Sequence, residues 1–221
     1  MRQTIPAANG LPRPFRGLVL DFAGVLTDGV HRAHEAWCAD QGLAPDAWRK
    51  TLNTHPEARC HYQALEVGTM SQAEFNQLTA TILGVNDGNN LMGRVWSAVR
   101  PAARMIAFAR AARTAGYTVA MLSNSFGLDP YDPYHHIGVR DLFDVTVISE
   151  LEGVAKPDPV IYQLTLERMG LPGSTCVFVD DHAANLPPAQ ALGITTVLAT
   201  GEDATVTQLE SLLGVRAVCA A

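Results

Sequence analysis

The chain has 221 residues, of which 48% are hydrophobic and 17% charged, enough to bury a substantial core in one domain with or without an insertion. A net charge of −6 and a pI near 5.6 exclude the basic face expected of a dedicated nucleic-acid binder. Cys38, Cys60, Cys176 and Cys219 show no CxxC or zinc spacing and read as reduced thiols.

In chain order, residues 1–16 are expected to form a flexible leader, because Pro6, Pro12 and Pro14 interrupt any regular element. This segment lacks the apolar core of a secretory signal, and no apolar run approaches a membrane span, so a cytoplasmic location is expected. The run "LVLD" (18–21) predicts a strand buried on both faces. The interval 29–100 is too long for a single crossover. Its helical stretches, without β-branched strands, predict an inserted all-helical cap. Trp37, Trp48 and Trp96 are expected to pack that cap, and His31, His34 and Glu35 to lie on its polar surface.

After Pro101 the pattern alternates. A helix is expected over 102–116, a strand over 117–123, a strand over 145–149, and a helix over 160–170. A strand over 175–181, a turn and helix over 183–193, a strand over 194–200 and a helix over 206–214 follow. This repetition predicts an α/β fold: a doubly wound parallel sheet, Rossmann-like, from residues 17–28 and 101–221, with the helical cap at 29–100. Ligands of such sheets bind beyond the carboxyl ends of the strands. Asp21, Ser123, and Asp180 with Asp181 each end an apolar strand. Lys50 and Lys156 are the chain's two lysines, and Lys156 precedes a helix in "GVAKPDPVIY".

A carboxylate, a hydroxyl, an ammonium and paired strand-end carboxylates suit displacement at a phosphoryl centre. The carboxylate attacks, the ammonium balances charge, and the aspartates bind Mg²⁺ through oxygen. The segments "DFAGVLTDG", "LSNS", "KPDPVIY" and "FVDDHAANLPPAQALGI" together resemble the haloacid dehalogenase (HAD) superfamily over about residues 17–200. The chain is most similar to the subgroup with a helical cap, which includes phosphatase-like domains of some epoxide hydrolases and sugar-phosphate phosphatases.

The resemblance implies that Asp21 is the nucleophile and a Mg²⁺ ligand, with the Ala23 carbonyl, Asp180 and Asp181 as further ligands. It implies that Ser123 and the Asn124 backbone hold the transferring group, that Lys156 pairs with Asp21, and that Asn185 supports the loop. It also implies a small phosphorylated substrate, for a monomer or homodimer, while the acidic charge and the lack of a long apolar run lead to the expectation of neither nucleic acid nor membrane as partner. Phosphatases of the superfamily usually carry an aspartate two residues after the nucleophile, to protonate the leaving oxygen and then activate water. Ala23 does neither, and such help is typically worth roughly 10²–10⁴-fold in rate.

Three readings therefore stand side by side. One is a phosphatase-like hydrolase whose acid–base group comes from elsewhere, with His182 as a candidate. Another is different HAD chemistry, such as C–P bond cleavage, for which Lys50 in the cap would serve. The third is a non-catalytic binding or scaffold protein.

Overall fold

The structure, a computed structural model, describes residues 14–217. The expected leader falls largely on residues 1–13, outside that range, whereas Arg16 already bonds to the sheet through its N–H to Thr175 O (2.8 Å) and its carbonyl to Thr118 N (2.9 Å). The chain opens with β1 (Gly17–Leu20) and the short β2 (Thr27–Asp28), then runs through α1 (Val30–Asp40), α2 (Ala47–Thr54), α3 (Pro56–Glu66), α4 (Gln72–Leu83) and α5 (Leu91–Trp96). It returns through β3 (Arg100–Pro101) to α6 (Ala103–Thr114), β4 (Thr118–Ser123), α7 (Pro133–Ile137), β5 (Val145–Ile148), α8 (Ser149–Glu152) and α9 (Pro159–Met169). It closes with β6 (Cys176–Asp180), α10 (Leu186–Ala191), β7 (Thr195–Leu198) and α11 (Glu202–Leu213).

The main sheet has the order β5-β4-β1-β6-β7, every pair parallel. Successive side chains of a strand point to opposite faces, and here both faces are covered. Leu18, Leu20, Val119, Met121, Val177 and Val179 join a core with α6, α11 and the cap, while Val19, Ala120, Leu122 and Phe178 join a second core with α9 and α10. This explains why the strands read as unbroken apolar runs rather than alternating ones. The expected doubly wound sheet with a helical insertion is the fold observed.

The sequence did not signal β2 and β3, which pair antiparallel at the base of the insertion (Thr27 with Pro101, Asp28 with Arg100). Two-residue strands are too short to carry a periodicity. Helices α1 to α5 lie between them, and Trp37, Trp48 and Trp96 are buried there, as expected. His34 departs from the polar surface assigned to it: its ring lies edge-on to Trp48 and Trp96, and burial lowers its pKa to about 4. Among the described residues no helix is long and apolar enough to cross a membrane.

Candidate active site

The carboxyl ends of β1, β4 and β6 lie side by side, so the residue following each strand enters one crevice. Asp21 comes directly after β1, its N–H bonded to Val179 O of β6 at 2.9 Å. Asp180 ends β6 and is fully buried. Ser123 ends β4 and is 1% exposed. Lys156 arrives from the loop before α9, a helix started by Asp158, whose carboxylate accepts from Val160 N at 2.9 Å, and by Pro159 in its first turn. Helix α9 stops at Gly170, whose φ of 62° is one that a side chain rarely adopts.

Lys156 Nζ holds the centre together. It donates to Asp21 Oδ1 at 2.7 Å, to Asp180 Oδ2 at 2.7 Å and to the Leu122 carbonyl at 3.0 Å, so all three ammonium hydrogens are used. The lysine side chain is 1% exposed. Burial alone would lower its pKa, but Asp21 and Asp180 hold it above the ordinary lysine value.

Asp180 is fixed further. Its Oδ1 accepts from His182 N at 2.7 Å, and Asn185 Nδ2 bonds both of its oxygens at 3.0–3.1 Å. The asparagine assigned to loop support thus acts directly on a carboxylate. The loop after β1 also crowds the site: Gly24 has φ 75°, and a Cβ there would overlap the Asp181 carboxylate.

Asp21, Asp180 and Asp181 each place a carboxylate oxygen within 4.8 Å of the others. One ammonium cannot neutralise three carboxylates. Burial raises the Asp21 pKa to about 7, with Asp180 and Asp181 adding to the rise and Lys156 opposing it. Asp181 is raised as well, first by burial and then by Asp180. An oxygen-only donor set carrying surplus negative charge fits a hard divalent cation such as Mg²⁺.

The loop after β4 is built as a cradle. Ser123 Oγ accepts from Tyr134 OH at 3.0 Å and donates to the Asn124 carbonyl at 3.1 Å. Tyr134 is placed by α7, whose cap residue Asp132 accepts from Tyr134 N and His135 N, both at 3.0 Å. The Asn124 side chain accepts from Lys156 N at 2.8 Å and donates to Lys156 O at 3.0 Å and to Glu66 Oε1 at 3.3 Å. Ser125 N donates to Ser149 Oγ at 2.8 Å.

The structure therefore brings together Asp21, Ser123, Asn124, Lys156, Asp180 and Asp181. Ala23 sits half-buried in the turn after β1, where its methyl has no proton to give. The His182 side chain is exposed beside Asp181, and Lys50 is exposed on α2. Sequence reasoning missed Tyr134, passed over within a loop rich in tyrosine and proline, and Glu66. Glu66 carried one faint signal: a carboxylate in the last turn of a helix opposes the helix dipole by about 0.3–1 kcal/mol, so its presence there needs another reason.

A haloacid dehalogenase-like hydrolase family model matches residues 15–193. Mouse acyl-CoA dehydrogenase family member 10 is 42% identical over 102 residues, covering 46% of this chain and 9% of that protein. The sesquiterpene phosphatase astK of Aspergillus oryzae is 33% identical over 120 residues, covering 52% of this chain and 59% of that protein. The chain thus spans less than two thirds of the length of either relative. A HAD family enzyme from Bacteroides thetaiotaomicron, solved with magnesium and inorganic phosphate, superposes with a TM-score of 0.63 at 23% identity, over 83% of this chain and 93% of that one.

Proposed function

The chain belongs to the haloacid dehalogenase-like hydrolases, and from that premise we propose that it is a Mg²⁺-dependent phosphatase acting on a small phosphorylated metabolite. The observation that carries this reading is the buried Lys156 ammonium held 2.7 Å from both Asp21 and Asp180, with Asp181 completing the acidic cluster. A relative named as a phosphatase, and a structural neighbour solved with magnesium and phosphate, support the same direction.

Asp21 is the nucleophile. Its carboxylate attacks phosphorus to give an aspartyl-phosphate, and its position is fixed by Lys156 before substrate arrives. Ser123 and the backbone N–H of Asn124 hold the oxygens of the transferring group, and Lys156 balances charge on nucleophile and substrate. Asp21, the Ala23 carbonyl, Asp180 and Asp181 would hold Mg²⁺. When bound, the ion supplies the positive charge that lets an anionic nucleophile approach an anionic ester. The helices between β2 and β3, proposed as a cap over residues 29–100, supply substrate selectivity. The exposed position of Lys50 gives no support to C–P cleavage through a cap lysine.

The test is hydrolysis of 4-nitrophenyl phosphate, whose leaving group needs little protonation. Turnover that requires Mg²⁺ and disappears in Asp21→Asn is the expected result. Turnover that persists in Asp21→Asn, or that is absent from the wild-type protein, would overturn the reading.

A further inference from the structure

An alkoxide or phenoxide leaving from phosphorus needs a proton as its bond breaks. With alanine at position 23, that proton has to come from another group at the crevice. Lys156 spends its three hydrogens on Asp21, Asp180 and the Leu122 carbonyl. Tyr134 is committed to Ser123, and Glu150 to Ser125 Oγ. Tyr62, one turn before the end of α3, is held well above the ordinary tyrosine pKa by burial, which makes it a weak acid. His182 is exposed beside Asp181, and no hydrogen bond among the described residues fixes its ring.

Glu66 remains. It is the last residue of α3 and reaches from the helical insertion to the loop after β4, where its Oε1 accepts from Asn124 Nδ2 at 3.3 Å. The same amide is bonded to both backbone atoms of Lys156, whose ammonium lies 2.7 Å from Asp21. Glu66 Oε2 makes no hydrogen bond among the described residues. The backbone here packs closely on α8. Ser149 Oγ donates to the Glu66 carbonyl, and two residues on, Gly68 (φ 71°) lies so close to the Glu150 carbonyl that a Cβ would overlap it.

We propose that Glu66 is the acid–base group of this site, delivered from the helical insertion in place of a carboxyl at position 23; this rests on the phosphatase reading above. In the first half-reaction an Asp21 oxygen attacks phosphorus. The ester P–O bond breaks, its electron pair goes to the leaving oxygen, and that oxygen takes the proton of the Glu66 carboxyl. In the second, a water oxygen attacks the aspartyl-phosphate and gives its proton to the Glu66 carboxylate. The bond from phosphorus to Asp21 breaks, its electron pair returns to that carboxylate, and phosphate leaves with both groups restored. Burial pushes the Glu66 pKa up to about 7, with Asn124 and Lys156 opposing the rise, so both forms are populated near neutrality. The titratable and charged groups that act on it are Tyr62 on its own helix and Lys156 from the loop before α9.

The experiment compares 4-nitrophenyl phosphate with phenyl phosphate, a poorer leaving group of nearly the same shape, using wild-type protein, Glu66→Gln and Glu66→Ala with Mg²⁺. Thermal unfolding of each variant serves as the control for folding. Glu66→Gln keeps an oxygen for Asn124 but cannot donate a carboxyl proton. It should lower kcat/KM for phenyl phosphate by about 10²–10⁴-fold and for the nitrophenyl ester far less. With the nitrophenyl ester it should show a burst of nitrophenol followed by slow turnover, because aspartyl-phosphate hydrolysis has lost its base. Equal effects on both esters, or a Glu66→Gln variant indistinguishable from wild type while Glu66→Ala is impaired, would reduce Glu66 to a structural tie and overturn the proposal. Wild-type protein that releases phenol from neither ester fails differently, because the phosphatase reading itself then falls.

Discussion

Lys156 shows what a single residue contributes here. Its ammonium is removed from water and compensated by two carboxylates and one carbonyl, and neither carboxylate has another cation bonded to it among the described residues. Breaking a buried pair by deleting one partner strands the remaining charge, which typically costs about 3–5 kcal/mol. Lys156→Met should lose stability on that scale in urea unfolding without metal, and lose hydrolysis entirely. A variant as stable as wild type would show that the ammonium is not compensating the carboxylates. Lys156 was legible because one of only two lysines stands before a helix between strand ends. Asp21, Ser123, Asp180 and Asp181 were legible because each abruptly ends an apolar run. Glu66 and Tyr134 were not, because a side chain that acts across a gap from another element leaves no pattern in its own segment.

Among the elements, the junction of α3 and α4 joins the helical insertion to the core. Helix α4 begins with Ser71, whose hydroxyl accepts from Glu74 N at 3.2 Å. That start fixes Gln72, which is 2% exposed. Gln72 Nε2 donates to the carbonyls of Phe126 (2.7 Å) and Tyr131 (2.9 Å), and its Oε1 accepts from Tyr131 N at 2.9 Å. Gly127 has φ 82°, and the space where its Cβ would stand is filled by the Gln72 side chain. One amide therefore ties α4 to the loop that carries Asn124, a few residues from where Glu66 ties α3 to the same loop. Gln72→Ala leaves buried backbone groups without partners, at about 1–3 kcal/mol each for a group left fully unsatisfied. It should lower the unfolding midpoint and raise KM for phenyl phosphate more than it lowers kcat. An unchanged midpoint would show that water replaces the amide at no cost. Helices with terminal glycines, such as α9, were readable from sequence, whereas this tie was not, since a buried glutamine near a helix start looks like any polar residue there.

For the molecule as a whole, the parallel sheet does the positioning. The three central strands are buried on both faces, so their polar residues are confined to strand ends, and the order β4-β1-β6 places three of those ends next to one another. Surplus negative charge follows from that convergence, and with it the fit to a divalent cation. The fold class was legible because alternating buried strands and helices admit few arrangements. The short ribbon of β2 and β3 escaped notice for want of length. The most direct test of the whole account is rapid acid quench of the wild-type protein during turnover of 4-nitrophenyl phosphate, with the peptides then weighed by mass spectrometry. One phosphoryl group on the peptide carrying Asp21, present with Mg²⁺ and absent after chelation, is the predicted result; a phosphoryl group on Ser123, or on no residue while nitrophenol is being released, would contradict it.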